Sequence, residues 1–140
     1  MEVKMNKAIK VVLIFLICLG LLMGIAFFVL FPSSKELGVP PNVNRITVEF
    51  MNEIYELDER KSQEVCSYFE SLPIVKASKT TQPTFTNGAI FSFYENDNYL
   101  GYFYIYDMHT IIVREGDSLM KYLTEDDLIA YYNELISSVR

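Results

Sequence analysis

The sequence predicts an α+β domain, an antiparallel sheet with two helices on one face, preceded by one transmembrane helix. Three observations carry this. Residues 11–31 read VVLIFLICLGLLMGIAFFVLF, with no charge and no strongly polar side chain. Several short segments between 45 and 123 alternate or are rich in β-branched and aromatic residues, as strands are. Two others, near 59–71 and after 124, carry apolar residues at helical spacing.

The apolar run comes first. At the rise of a helix its 21 residues span about 31 Å, close to the ~30 Å hydrocarbon core of a bilayer. Lys4, Lys7 and Lys10 precede it and Pro32 stops it. Residues 1–10 carry a side-chain charge of +2, whereas residues 32–140, with 9 basic and 17 acidic side chains, carry −8. Lysines on the N-terminal flank place that end in the cytoplasm and the C-terminal domain outside the cell membrane. Gly24-Ile25-Ala26 has the small residues of a cleavage site, so a removed signal peptide is the rival. Phe27 to Phe31 extends the run to full spanning length and favours a retained signal-anchor. Cys18 is preceded by Phe15-Leu16-Ile17 and followed by 13 more residues of the span, which argues against a lipoprotein. Gly20 and Gly24 form a G-x-x-x-G pair on one helix face, a pattern that admits close helix packing and a homodimer. Glycine is also simply common in membrane helices.

Residues 32–44, PSSKELGVPPNVN, are expected to form a connector rich in Ser, Gly and Pro. Residues 45–140 then suffice for one small domain. Arg45 to Phe50 reads as a strand, and Glu53 to Leu57 returns antiparallel to it around Met51-Asn52. Asp58 suits a helix N-cap, and Val65, Phe69 and Leu72 place one buried face on a helix over about 59–71. Pro73 closes it, and Ile74 to Thr80 is a candidate third strand. Thr80 to Thr84 reads as a loop and Asn87-Gly88 as a turn. Ala89 to Tyr94, Tyr99 to Tyr106, Thr110 to Arg114 and Leu119 to Leu123 follow as a meander of three or four strands. Thr124-Glu125-Asp126-Asp127 resembles a capping box with Thr124 as N-cap. Leu128, Tyr131, Tyr132, Leu135 and Val139 then mark the last helix.

Composition narrows the function. An acidic domain repels phosphate backbones, which argues against nucleic acid as a partner. Cys66 is the only cysteine after the span, so no disulfide is available within the domain, and it reads as a small hydrophobe at a core edge. No nucleophile-elbow, zinc-protease, C-x-x-C, P-loop or calcium-loop pattern occurs, and no cofactor or metal is implied. Asp107 and His109 would share a face if a strand ran through them, which would suit an acid–base or metal pair, but the spot reads as a turn. The acids at 125–127 could likewise bind a cation, but helix capping accounts for them more simply. The strongest candidate surface is aromatic: Tyr102, Tyr104 and Tyr106 alternate along one strand, while Phe103 and Ile105 point to the helices. The tyrosine side is expected to be a partly exposed surface for a glycan, a peptide or another protein. Tyrosine is also at home on any half-exposed strand.

The segment Asp117-Ser118-Leu119-Met120-Lys121-Tyr122-Leu123-Thr124-Glu125-Asp126-Asp127-Leu128 resembles the "vYxLsxeexxxLxxLL" close of small extracytoplasmic domains of Gram-positive bacteria. These occur in lipoproteins and single-pass membrane proteins, in families of unknown function. The resemblance covers roughly residues 44–138, and this chain departs from it in lacking a lipobox. It implies an extracytoplasmic location and a non-enzymatic default, and it supplies no functional residues. The expectation is therefore a single-pass protein presenting a binding or interaction domain, partnered by the lipid bilayer and by another envelope or membrane protein. One alternative is an envelope enzyme or enzyme inhibitor acting on wall components, which would need a pocket gathering Asp107, His109 or the acids at 125–127. Another is an accessory subunit of a membrane complex, recruited through the Gly20/Gly24 face.

Overall fold

Helix α1 runs from Lys7 to Leu30, 24 residues with no acidic side chain in its first turn. In the computed structural model, which describes residues 6–30, 36–81 and 88–140, the chain divides into two compact units, 1–33 and 34–140. Within the first unit, Lys7–Ile25 has a mean hydropathy of 2.8 and is long and apolar enough to cross a membrane. Its large side chains lie open all round, from Leu19 at 46% exposed to Met23 at 69%. A helix apolar on every side is made to be surrounded by apolar matter. The end of the expected span at Phe31, and Pro32 beyond it, lie outside the described residues, as does Lys4.

The second unit is the expected α+β domain. Its elements run β1 (Arg45–Phe50), β2 (Glu53–Leu57), α2 (Glu59–Ser71), β3 (Ile74–Thr80), β4 (Ala89–Glu95), β5 (Asn98–Asp107), β6 (Thr110–Glu115), β7 (Ser118–Thr124) and α3 (Leu128–Ser137). Hairpin and meander fuse into one seven-stranded antiparallel sheet, in the order β2-β1-β4-β5-β6-β7-β3. The first hairpin thus occupies one edge. Helix α2 leaves that edge, and β3, which follows it, pairs with β7 at the other. The loop expected over 80–84 and the turn at Asn87 fall largely on residues 82–87, outside the described part.

One face of the sheet carries the core. Ile46, Val48, Leu57, Phe91, Phe93, Phe103, Ile105, Ile111, Val113 and Tyr122 belong to one buried cluster with Val65 and Phe69 of α2 and Leu128, Tyr132, Leu135 and Ile136 of α3. Phe69 is its centre. Its ring meets Phe103 at 5.1 Å and Phe91 at 5.2 Å, both edge to face, the preferred geometry of aromatic pairs. Two helices therefore share one face, because the period-two apolar positions of five or more strands and the period-3.6 positions of both helices meet there.

Two expectations shift. The connector is shorter than 32–44: Leu37 is 3% exposed within the domain core, and Val39 and Val43 pack against it. Sequence composition marked Pro40-Pro41 as spacer, but the valines and leucine around them are apolar enough to be drawn in. The last helix starts later than Thr124. Its N-cap is Asp127, whose carboxylate accepts the Ala130 N–H at 2.9 Å. Thr124 instead ends β7, buried opposite Ile74, and its N–H donates to the His109 carbonyl at 2.9 Å.

Candidate functional site

On the sheet face turned from the helices, Tyr102, Tyr104 and Tyr106 of β5 differ in exposure. Tyr104 is 1% exposed, Tyr102 is half-buried and Tyr106 is 49% exposed. Two irregularities interrupt β5. The pairing with β4 jumps from Phe93–Gly101 to Tyr94–Tyr99, leaving Leu100 as an extra residue. The pairing with β6 jumps from Ile105–Ile111 to Asp107–Thr110, leaving Tyr106 in a bulge. A bulge adds a residue to one strand, yet Tyr106 stays beside Tyr104, their rings 6.1 Å apart and edge to face. Tyr104 lies opposite Ile90 and Ile112, and Ile112 is itself 3% exposed. Gly88 abuts it: a Cβ there would overlap both the Tyr104 ring and the Ile105 carbonyl oxygen. Tyr104 is thus a packed residue on the face turned from the helices.

The Asp107-His109 pair closes a turn. The Asp107 carboxylate accepts the backbone N–H of His109 at 2.9 Å, and the His109 ring Nδ1 lies 3.1 Å from the Asp126 carbonyl. The Met108 carbonyl accepts the Leu128 N–H at 2.8 Å. These bonds tie the β5–β6 turn to the start of α3, so the single histidine and the acids at 125–127 meet as a structural joint. Among the described residues, no group of three or more His, Cys, Asp or Glu side chains is placed to hold a metal ion. Cys66 lies half-buried at the edge of α2; burial, aided by the charge of Glu70, pushes its thiol up to about 11. Such a thiol is a poor nucleophile at neutral pH.

Two depressions went unnoticed in the sequence because each is assembled from distant segments. One, of about 440 Å³, is lined by Asn44, Arg45, Glu56, Asp58, Asn96 and Asp97 among others. Its polar groups are largely engaged with one another. Asn44 Nδ2 donates to Asn96 Oδ1 at 2.9 Å, and the Asn96 N–H donates back to Asn44 Oδ1 at 2.8 Å. Arg45 donates to the Asn96 carbonyl and lies 4.4 Å above the Tyr94 ring. This network clamps the β4–β5 turn onto the start of β1.

The other depression, of about 300 Å³, lies between the two helices of the domain and is lined by Lys61, Glu64, Tyr68, Tyr131, Glu134, Leu135 and Ser138. Tyr68 and Tyr131 stack in it at 3.5 Å with their planes 12° apart. Burial and the nearby charges of Asp126 and Asp127 push the Tyr68 phenol up to about 12. Burial also raises Tyr131, beside Tyr68 and Glu64. In the membrane-type helix, a Cβ added at Gly20 or Gly24 meets nothing within 4 Å, so both positions are open on the isolated chain.

No protein-family model, curated protein or solved structure matches this chain. The resemblance at residues 117–128 rests on pattern alone.

Proposed function

We propose that this chain is a single-pass membrane protein whose N-terminus lies in the cytoplasm and whose α+β unit is presented outside the membrane as a binding module. The observation that supports it is the open helix α1, whose described large apolar side chains are all substantially exposed. Such a surface is far larger than the apolar patches soluble monomers tolerate, and a bilayer covers it. Lys7 and Lys10 stand at its N-terminal end, and the charge of −8 lies beyond its C-terminal end. That asymmetry supports the orientation. The commitment of Asp107 and His109 to backbone partners, and the tyrosine-lined groove, favour interaction over catalysis.

The test is topology in intact cells. Gln63 is exposed on α2, and a Gln63→Cys reporter is expected to react with a membrane-impermeant maleimide without lysis. The native Cys66, with its raised thiol, serves as a slow internal reference. Labelling only after lysis would overturn the orientation. Recovery of the protein with a mass lacking residues 1–26 would overturn the anchor.

A further inference from the structure

The groove between α2 and α3 has a composition that selects its ligand. Its floor is the Tyr68–Tyr131 stack, with both rings half-buried and therefore partly open to solvent. Its walls bear Glu64 and Glu134, and Lys61, the one cation among its described lining residues, is held at one side with Nζ donating to Ser138 Oγ at 2.7 Å. Asp126 and Asp127 act on the Tyr68 phenol from the start of α3. An anion entering here meets several carboxylates and one ammonium group. A purely apolar group would draw these carboxylates out of water, which is costly, and the long, exposed ion pair of Glu64 with Arg60 at 3.9 Å offsets little of it. A cation satisfies both features at once, since the outward face of a stacked tyrosine attracts cations and the carboxylates accept their hydrogen bonds. The net −8 of residues 32–140 steers basic partners toward the domain as a whole.

We propose that this groove receives a lysine- or arginine-bearing segment of a partner protein, with a cationic side chain lying against the Tyr68–Tyr131 stack and between Glu64 and Glu134. The proposal rests on the binding-module assignment and adds the chemistry of the partner. Arginine fits best, because its planar guanidinium stacks on a ring while forking to a carboxylate.

The experiment uses the full chain in nanodiscs of zwitterionic phosphatidylcholine, which give a basic peptide no anionic lipid to bind. The probe is fluorescein-labelled hexa-arginine, read by anisotropy at low and at physiological salt. The expected result is saturable binding that weakens at least ~tenfold in the Glu64→Gln/Glu134→Gln double variant, the scale of losing two carboxylate ion pairs to the bound cation. A Glu49→Gln/Asp117→Asn variant removes the same charge from exposed positions outside the groove and is expected to stay within about twofold, since distant surface charges are screened. Tyr131→Leu, checked for folding by circular dichroism, is expected to weaken binding as well. No binding, or equal weakening in the two charge-matched variants, would overturn the proposal. Neither outcome touches the topology, which maleimide labelling reads separately.

Discussion

Ser62 accepts the backbone N–H of Ile46 on its hydroxyl oxygen at 3.0 Å. The same hydroxyl lies 3.4 Å from the Leu57 carbonyl, to which it donates. Ile46 and Leu57 are the last register partners of the β1–β2 hairpin, so a helix side chain is inserted where the strand ladder ends. Ser62 is completely buried. Among the described residues, no buried side-chain nitrogen or oxygen lacks a hydrogen-bond partner.

Ser62→Ala should therefore be destabilising out of proportion to its size. It leaves the Ile46 N–H and one lone pair of Leu57 buried without that partner, and an unsatisfied buried donor costs about 1–3 kcal/mol. For a domain near a hundred residues this corresponds to a fall in Tm of roughly 4–8 °C per kcal/mol. Thermal unfolding followed by far-ultraviolet circular dichroism measures it. An unchanged Tm would mean that the hydroxyl bridge contributes nothing.

The β1–β2 turn should be improvable. Met51 and Asn52 have φ of 49° and 67°, the paired positive values that a two-residue hairpin turn needs. Asparagine adopts this backbone readily, whereas an unbranched L side chain in it costs about 1–2 kcal/mol. The Met51 side chain is 73% exposed and contributes little packing in return. Met51→Asn is expected to raise stability by about 1 kcal/mol, read as a higher midpoint in urea. A lower midpoint would show that Met51 makes contacts that outweigh its backbone.

The contrast between these two sites shows what the chain discloses in one dimension. Hairpin, helices and strands were visible because apolar residues such as Ile46, Val48, Phe91 and Phe93 repeat at a fixed local period. The Asp58 cap was visible because side chain and target are three residues apart: its carboxylate accepts the Lys61 N–H at 2.8 Å. The same logic misled at Thr124, where two acceptors, Thr124 and Asp127, lie three residues apart and only pairing of Thr124 with Ile74 in the sheet decides between them. Tyr104 misled because the residues that bury it, Gly88 and Ile112, lie on other segments of the chain. The Ser62 bridge, the Tyr68–Tyr131 stack and the Asn44–Asn96 clamp join residues 16, 63 and 52 positions apart. No local pattern encodes such pairs, so the interhelical groove emerged only once the sheet order was known.

Stability at alkaline pH should report on the buried and half-buried tyrosines, Tyr68 and Tyr131 of the groove among them. The Tyr68 phenol is pushed up to about 12 by burial and by Asp126 and Asp127, and Tyr132 is pushed up to about 12 chiefly by burial. Tyr131 and Tyr122 are raised as well, by burial and by neighbouring groups, Glu115 hydrogen-bonding to Tyr122. In the unfolded chain these phenols ionise near ~10. Between pH ~10 and ~12 the unfolded state therefore binds fewer protons than the folded one, and unfolding free energy falls as pH rises. The favourable contribution is fully present below about pH 10 and is lost as pH rises through the folded values. Urea midpoints measured from pH 8 to 12 are expected to hold level and then drop steeply, with tyrosinate absorbance near 295 nm rising together with unfolding. Tyr68→Phe removes one of the titrating groups and should make the drop shallower. A slope identical to that of the unaltered chain would show that Tyr68 ionises as freely in the folded domain as in the unfolded one, and that its ring is not shielded by the groove.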